Sequence, residues 1–239
     1  MVYNTISFAA KLKNDIGQID LLMHNEVLEL PCSDHEKLEK LIARCKETGH
    51  RYGLHYPSYD SCDRVGFSAT RDANIILRDM SDYYERYADA EYLVCHYPFH
   101  SYNLQFIDPV VLKDTIEGMN ALCCNGRPLL IENISVVSNC CRASEYLNYL
   151  ESAPQLSLCL DLGHAFLIDN EEPVRFMNLL GPRILAVHHY NTCNRGKLRG
   201  RHLPVLSERI GPEYMDMAKM ESMMAQLPSL RWIVDESEG

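Results

Sequence analysis

The sequence has no uninterrupted apolar run near the roughly 18 residues that cross a bilayer. Its first residues, MVYNTISFAAKLKND, set no basic cluster ahead of an apolar stretch. A membrane span and a secretion signal are therefore not expected, and a soluble, cytoplasmic protein is. Ten cysteines are present, yet none stands in a C-x-x-C pair. That argues against a zinc site built from thiolates, and the missing leader argues against a disulfide scaffold. The thiols are expected to be buried packing residues. Positive charge is also short: 23 Lys and Arg against 33 Asp and Glu leave a net charge of −10, which disfavours a generally basic surface for nucleic acid. No Pro/Gly/Ser-rich linker or low-complexity tract divides the chain, so residues 1–239 read as one domain. The G-x-G-x-x-G fingerprint of an open dinucleotide-binding sheet is absent too.

What is present is an alternation. Short apolar runs predict strands at Asn4–Phe8, Glu26–Leu30, Tyr52–His55, Tyr92–His96, Pro128–Glu132, Leu156–Asp161, Ile184–His189 and Arg231–Asp235. Amphipathic stretches lie between them. In DHEKLEKLIARCKETG, Leu38, Leu41, Ile42 and Cys45 fall on one helical face and Gly49 supplies the stop. Strands that alternate with helices imply a parallel sheet with helical crossovers, and eight is the number at which such a sheet closes. The expected fold is a single (β/α)8 TIM barrel.

The strands from the third to the eighth share one further feature: each ends on an imidazole or a carboxylate. The residues are His55, His96, Glu132, Asp161, the pair His188 and His189, and Asp235 or Glu236. In a parallel barrel all carboxyl ends of strands meet at one mouth, where the chemistry sits. Taken singly, a strand-end histidine is more often a hydrogen-bonded residue than a ligand. Six converging strands are different, because desolvated titratable groups are costly without a compensating cation. Mixed N/O donors suit a divalent metal such as zinc or manganese.

At this point the chain resembles the xylose-isomerase-like barrels, which include sugar and sugar-phosphate isomerases and epimerases and metal-dependent endonucleases acting at abasic sites. DLGHAF, Asp161 to Phe166, is similar to the D-x-x-H-A-F signature of the endonuclease branch. LIEN (Leu130 to Asn133) resembles the strand-five E-N element, HYN (His189 to Asn191) the strand-seven H-x-N element, and GRHLP (Gly200 to Pro204) the D-R-H segment. The resemblance implies that Glu132 bridges metals and that Asp161, His189 and the strand-eight carboxylate complete one site. It implies His55 and His96 at a second site, and His164 and His202 at a third. Gly200 stands where the third site's aspartate is expected. The H-x-N spacing selects His189 and leaves His188 facing outward or behind the ligands. On strand eight both Asp235 and Glu236 remain open.

The loop after strand seven, NRGKLRGRH, carries Arg195, Lys197, Arg199 and Arg201 within seven residues. A solvated charge run is the bland alternative. In an acidic chain, beside the mouth where barrels bind phosphate, the reversal of sign is read as recognition of a phosphate or carboxylate. Tyr56, Pro57, Tyr97, Pro98 and Phe99 follow two of the histidines, placed to wall a pocket or to pack the loops. The expected function is a divalent-metal-dependent isomerase or epimerase of a sugar or sugar phosphate, with Glu132 and Asp235 or Glu236 moving the proton. One to three ions are expected. The alternative is a metal-dependent phosphodiester hydrolase, for which nucleic acid would be the partner.

Overall fold

The structure is a computed structural model that describes residues 6–11, 19, 27–32, 35–56, 73–96, 109–123, 126–135, 141–205 and 211–237. Eight parallel strands close into one barrel in sequence order: β1 Ser7–Lys11, β2 Val27–Pro31, β3 Arg51–Tyr56, β4 Leu93–His96, β5 Leu129–Glu132, β6 Ser157–Asp161, β7 Ile184–His189 and β8 Trp232–Asp235. The seam is made by β1 against β8, with Ser7 opposite Trp232 and Ala10 opposite Asp235. The expected single barrel is thus the observed one. The largest difference lies at β1, whose end falls on Lys11 and not Phe8. Residues 4 and 5 lie outside the described residues.

Seven helices are described: α1 His35–Thr48, α2 Ala73–Arg86, α3 Pro109–Leu122, α4 Ala143–Glu151, α5 Leu162–Ile168, α6 Glu172–Leu180 and α7 Met217–Met224. The first buries the face read from sequence, Leu38, Leu41, Ile42 and Cys45. Gly49 closes it at φ 79°, a left-handed conformation that glycine adopts without strain.

Two cores result. The larger lies between sheet and helices. The smaller fills the barrel itself and contains Ala9, Val27, Tyr92, Val94, Leu130, Cys159, Ala186, Trp232 and Val234. Side chains on a strand alternate between faces with a period of two. Two residues beyond an interior position the chain therefore points inward again, one layer nearer the mouth. That step leads from Ala9 to Lys11, Val27 to Glu29, Gly53 to His55, Val94 to His96, Leu130 to Glu132, Cys159 to Asp161, Ala186 to His188 and Val234 to Glu236. An apolar layer thus supports a layer of eight ionisable groups, one from each strand.

Candidate metal centre

This upper layer is nearly dry. Glu29, Asp161 and His188 are fully buried, and His55, His96, Glu132 and Glu236 are all below a tenth exposed. The two oxygens of Glu132 face different neighbours. Its Oε2 lies 2.8 Å from His55 Nε2 and 3.3 Å from His96 Nε2. Its Oε1 lies 3.4 Å from His188 Nδ1 and 3.5 Å from His164 Nδ1. His188 Nδ1 is also 3.0 Å from Glu236 Oε1 and 3.9 Å from Asp161 Oδ2.

Local structure sets these positions. Asp161 ends β6 and caps α5, accepting from the His164 backbone N–H at 2.6 Å. The same cap places the His164 ring 3.5 Å from Asp161 Oδ2. Asn133 pairs with the Asp161 backbone in both directions, donating through Nδ2 at 2.9 Å and accepting at 2.7 Å, which locks the end of β5 to that of β6. The Tyr190 hydroxyl donates to Asp161 Oδ1 at 2.8 Å. Gly163 gives that ring its place, since a Cβ there would stand 2.4 Å from it.

One sequence expectation is corrected, and one open choice is narrowed. His189, chosen by its spacing to Asn191, points to the outer face of β7, where it meets Glu221 at 3.5 Å in an apolar groove. The inward residue is His188. Strand alternation from Ala186 decides the matter, and a motif spacing measured along the chain does not. On β8 the exposed Asp235 accepts from the Ser237 backbone N–H at 2.8 Å outside the barrel. Glu236 turns into the mouth, against Lys11, His188 and His202. His55, His96, Glu132, Asp161, His164 and His202 all lie at the mouth, His164 beside Glu132 and Asp161 and His202 beside Glu236. No group of three possible ligands among the described residues includes His164 or His202.

Lys11 and Glu29 were not singled out by sequence reasoning. The signal was available for Glu29, a lone acid inside the strand run VLELP. For Lys11 it was hidden by the misplaced end of β1. The Lys11 ammonium binds Glu236 and lies 4.0 Å from Glu29 Oε1.

The charges at the mouth shape one another. Burial pushes the Glu132 carboxyl up, but His96, His188 and His55 hold it well below the usual range. Glu236 is likewise held well below it, burial being outweighed by His188 and Lys11. Burial opposes a charge on His188, yet the ring is pushed well above its ordinary value by Cys159, Glu236, Glu29 and Glu132. The carboxylates carry that effect, because the Cys159 thiol is itself pushed up to about 12 and is neutral. His55 is shifted downward, by burial and by Lys11.

A divalent ion fits this arrangement. His188 Nδ1 and Asp161 Oδ2 are buried without a hydrogen-bond partner among the described residues, an expensive state for polar atoms. Glu132 lies beside both residues, and Glu236 Oε1 faces His188 Nδ1. Glu132, Asp161 and His188 have ligand atoms within 4.8 Å of one another, as do His55, His96 and Glu132. The remaining donors have protein partners: His164 Nδ1 is 2.9 Å from the Asn133 carbonyl, and His202 stacks on Tyr190 with ring centroids 3.8 Å apart. Gly200, in place of the expected aspartate, has φ 72°, where a side chain would be strained.

The basic loop begins and ends beside this site. Asn191 and Leu203 exchange backbone hydrogen bonds at 2.8 Å, closing the excursion and returning His202 to Glu236. Arg195, Lys197, Arg199 and Arg201 are exposed on it, around a short 3-10 turn at Gly196–Leu198. Among the described residues none of the four has an ion-pair partner. Pro57, Tyr97, Pro98 and Phe99, read as pocket walls, lie outside the described residues, as does the Tyr56 side chain.

A family model for the xylose isomerase-like TIM barrel matches residues 12–238. No curated protein matches the sequence. Solved structures share the fold at low identity. An AP endonuclease of family 2 from Brucella melitensis superposes with a TM-score of 0.69 at 15% identity, covering 98% of this chain and 95% of its own. A xylose isomerase domain protein from Salmonella typhimurium gives 0.68 at 15%, covering 97% and 88%. A protein from Anabaena variabilis assigned to the sugar phosphate isomerases/epimerases gives 0.64 at 12%, covering 98% and 84%.

Proposed function

The chain belongs to the xylose isomerase-like TIM barrel family, and from that premise we propose that it is a divalent-metal-dependent isomerase or epimerase acting on a sugar or sugar phosphate. The observation that carries this reading is that Asp161 and His188, each with a buried atom (Oδ2 and Nδ1) that has no hydrogen-bond partner among the described residues, lie with Glu132 so that their ligand atoms are within 4.8 Å of one another. Glu236 Oε1 stands 3.0 Å from the same His188 nitrogen. Those four residues would hold the ion. When bound, it would polarise adjacent substrate oxygens as a Lewis acid. Zinc and manganese both suit two or three carboxylates with one imidazole.

The protein groups supply the proton transfer. Glu132 and Glu236 come from β5 and from the end of β8, and each carboxyl is held well below its usual range, Glu132 by His96, His188 and His55 and Glu236 by His188 and Lys11. One carboxylate would take a proton from carbon, and the other, after taking up a proton from solvent, would deliver it to the opposite side, the two exchanging roles in the next turnover. Lys11 and His202 hold Glu236 in place from two sides. The basic loop, tied to the mouth through His202, would bind a substrate phosphate through charge-assisted hydrogen bonds.

A second reading is favoured by one observation: Glu132 Oε2 faces a separate cluster with His55 and His96. A carboxylate bridging two ions is the arrangement of a two-metal phosphodiester hydrolase. Metal analysis of protein purified without chelator separates the two. About one equivalent per chain supports the isomerase, two or more support the hydrolase, and a metal-free protein that takes up no zinc or manganese rejects both.

A further inference from the structure

Glu29 is fully buried on β2 beside the centre, and no strand-end motif includes it. The His188 ring nitrogen Nε2 lies 3.3 Å from Glu29 Oε2 in a hydrogen bond, and 3.1 Å from Oε1. The Tyr92 hydroxyl donates to the same Oε2 at 3.1 Å. Room for Tyr92 comes from Gly53, where a Cβ would stand 2.3 Å from the ring. The opposite ring nitrogen, His188 Nδ1, is the orphaned atom that faces Glu132, Asp161 and Glu236. An imidazole can offer a lone pair from either nitrogen, and the hydrogen bond made by one decides which is left to ligate.

We propose that Glu29 is a positioning residue: it accepts the Nε2–H of His188 and thereby fixes the ring with Nδ1 toward a divalent ion. The proposal rests on the metal-centre reading above and deepens it. Glu29 touches neither ion nor substrate in this role. A direct ligand role fits less well. Glu29, His55, His188 and Glu236 do lie close enough to ligate an ion, but the Lys11 ammonium already stands between Glu29 and Glu236. The contact also explains why β2 keeps a fully buried carboxylate: Glu29 carries a charge-assisted bond to the ring of a ligand in the same layer, with Tyr92 donating to it from the apolar layer.

The test is zinc binding by the full chain without substrate, with the histidine ring nitrogens followed by nitrogen-15 NMR. In the unaltered protein, zinc should shift the Nδ1 signal of His188 while Nε2 keeps its proton. Glu29→Leu, which removes the acceptor, should weaken zinc binding about 10- to 100-fold, the usual range for losing such an outer partner. Its His188 signals should show a mixture of tautomers. Glu29→Gln keeps an acceptor oxygen and should recover most of the affinity and a single tautomer. It also decides the matter if the leucine variant fails to fold, since a loss as deep as that of His188→Ala would make Glu29 a ligand. Unchanged affinity and tautomer in folded Glu29→Leu would overturn the positioning role alone. A wild-type chain that binds no zinc would overturn the metal centre, and the positioning role with it.

Discussion

A carboxylate that is one per cent exposed and still ionised has to be held by something. For Glu132 the holders are three imidazoles, those of His55, His96 and His188. Removing its charge leaves those rings facing an amide, and takes a shared donor from both clusters. Glu132→Gln should therefore abolish activity and weaken metal binding by at least tenfold, and His188→Ala should do the same. His189→Ala and Cys141→Ser should leave metal affinity within about twofold, because His189 faces the outer groove and the Cys141 thiol, half-buried and pushed up to about 11, is neutral packing. Isothermal titration with manganese checks all four variants. Full metal affinity in Glu132→Gln would contradict the site, and a loss in His189→Ala would contradict the assignment on β7.

The sequence made the strands legible because each is a nearly continuous apolar run ended by a polar residue, and a parallel barrel buries both faces of its strands. That same property concealed which residues point inward. On β7 the run ILAVHH carries no polar alternation, so its two histidines could be separated only by their distance from Ala186, a position known once the barrel interior is known. On β8, WIVDES offered two acids for one inward position for the same reason. Lys11 escaped notice because β1 was placed three residues early. The loop Arg195–Arg201 was legible as a charge reversal, and its closure by the Asn191–Leu203 bridge brings it back to the mouth. If it binds the phosphate of a substrate, replacing Arg199 and Arg201 by alanine should raise KM about tenfold or more for a phosphorylated sugar. KM for the unphosphorylated analogue should stay nearly unchanged. Equal effects on both would reduce the loop to solvated charge. A loss confined to duplex DNA with an abasic site, steep in salt, would favour the hydrolase.

Across the whole barrel, the strands from β1 to β8 each contribute to one buried charge cluster that includes Glu29, Glu132, Asp161 and Glu236, with Lys11 and His188 as cations. Stability and ion binding must then be linked through pH. The folded His188 pKa is raised well above 6.5, so without metal its contribution is complete below about pH 6.5 and is lost as pH rises through the folded value. The folded Glu132 and Glu236 values are depressed, so their contribution is present above about pH 4.5 and is lost as pH falls further, through the folded values. A divalent ion at Nδ1 needs the neutral ring, so binding expels a proton from His188, and affinity rises with pH until that proton is gone. The ion also restores the countercharge that deprotonation removes. The metal-free protein should therefore lose thermal stability steadily above neutral pH, while the metal-loaded protein holds its Tm over the same range. The difference between them should widen with pH, reaching about 2.7 kcal/mol wherever free metal is 100-fold above its Kd. Thermal unfolding from pH 5 to 9, with and without manganese, measures both curves, and calorimetry in buffers of different ionisation enthalpy counts the proton. Parallel curves with no proton released would mean that His188 is not the residue that meets the ion.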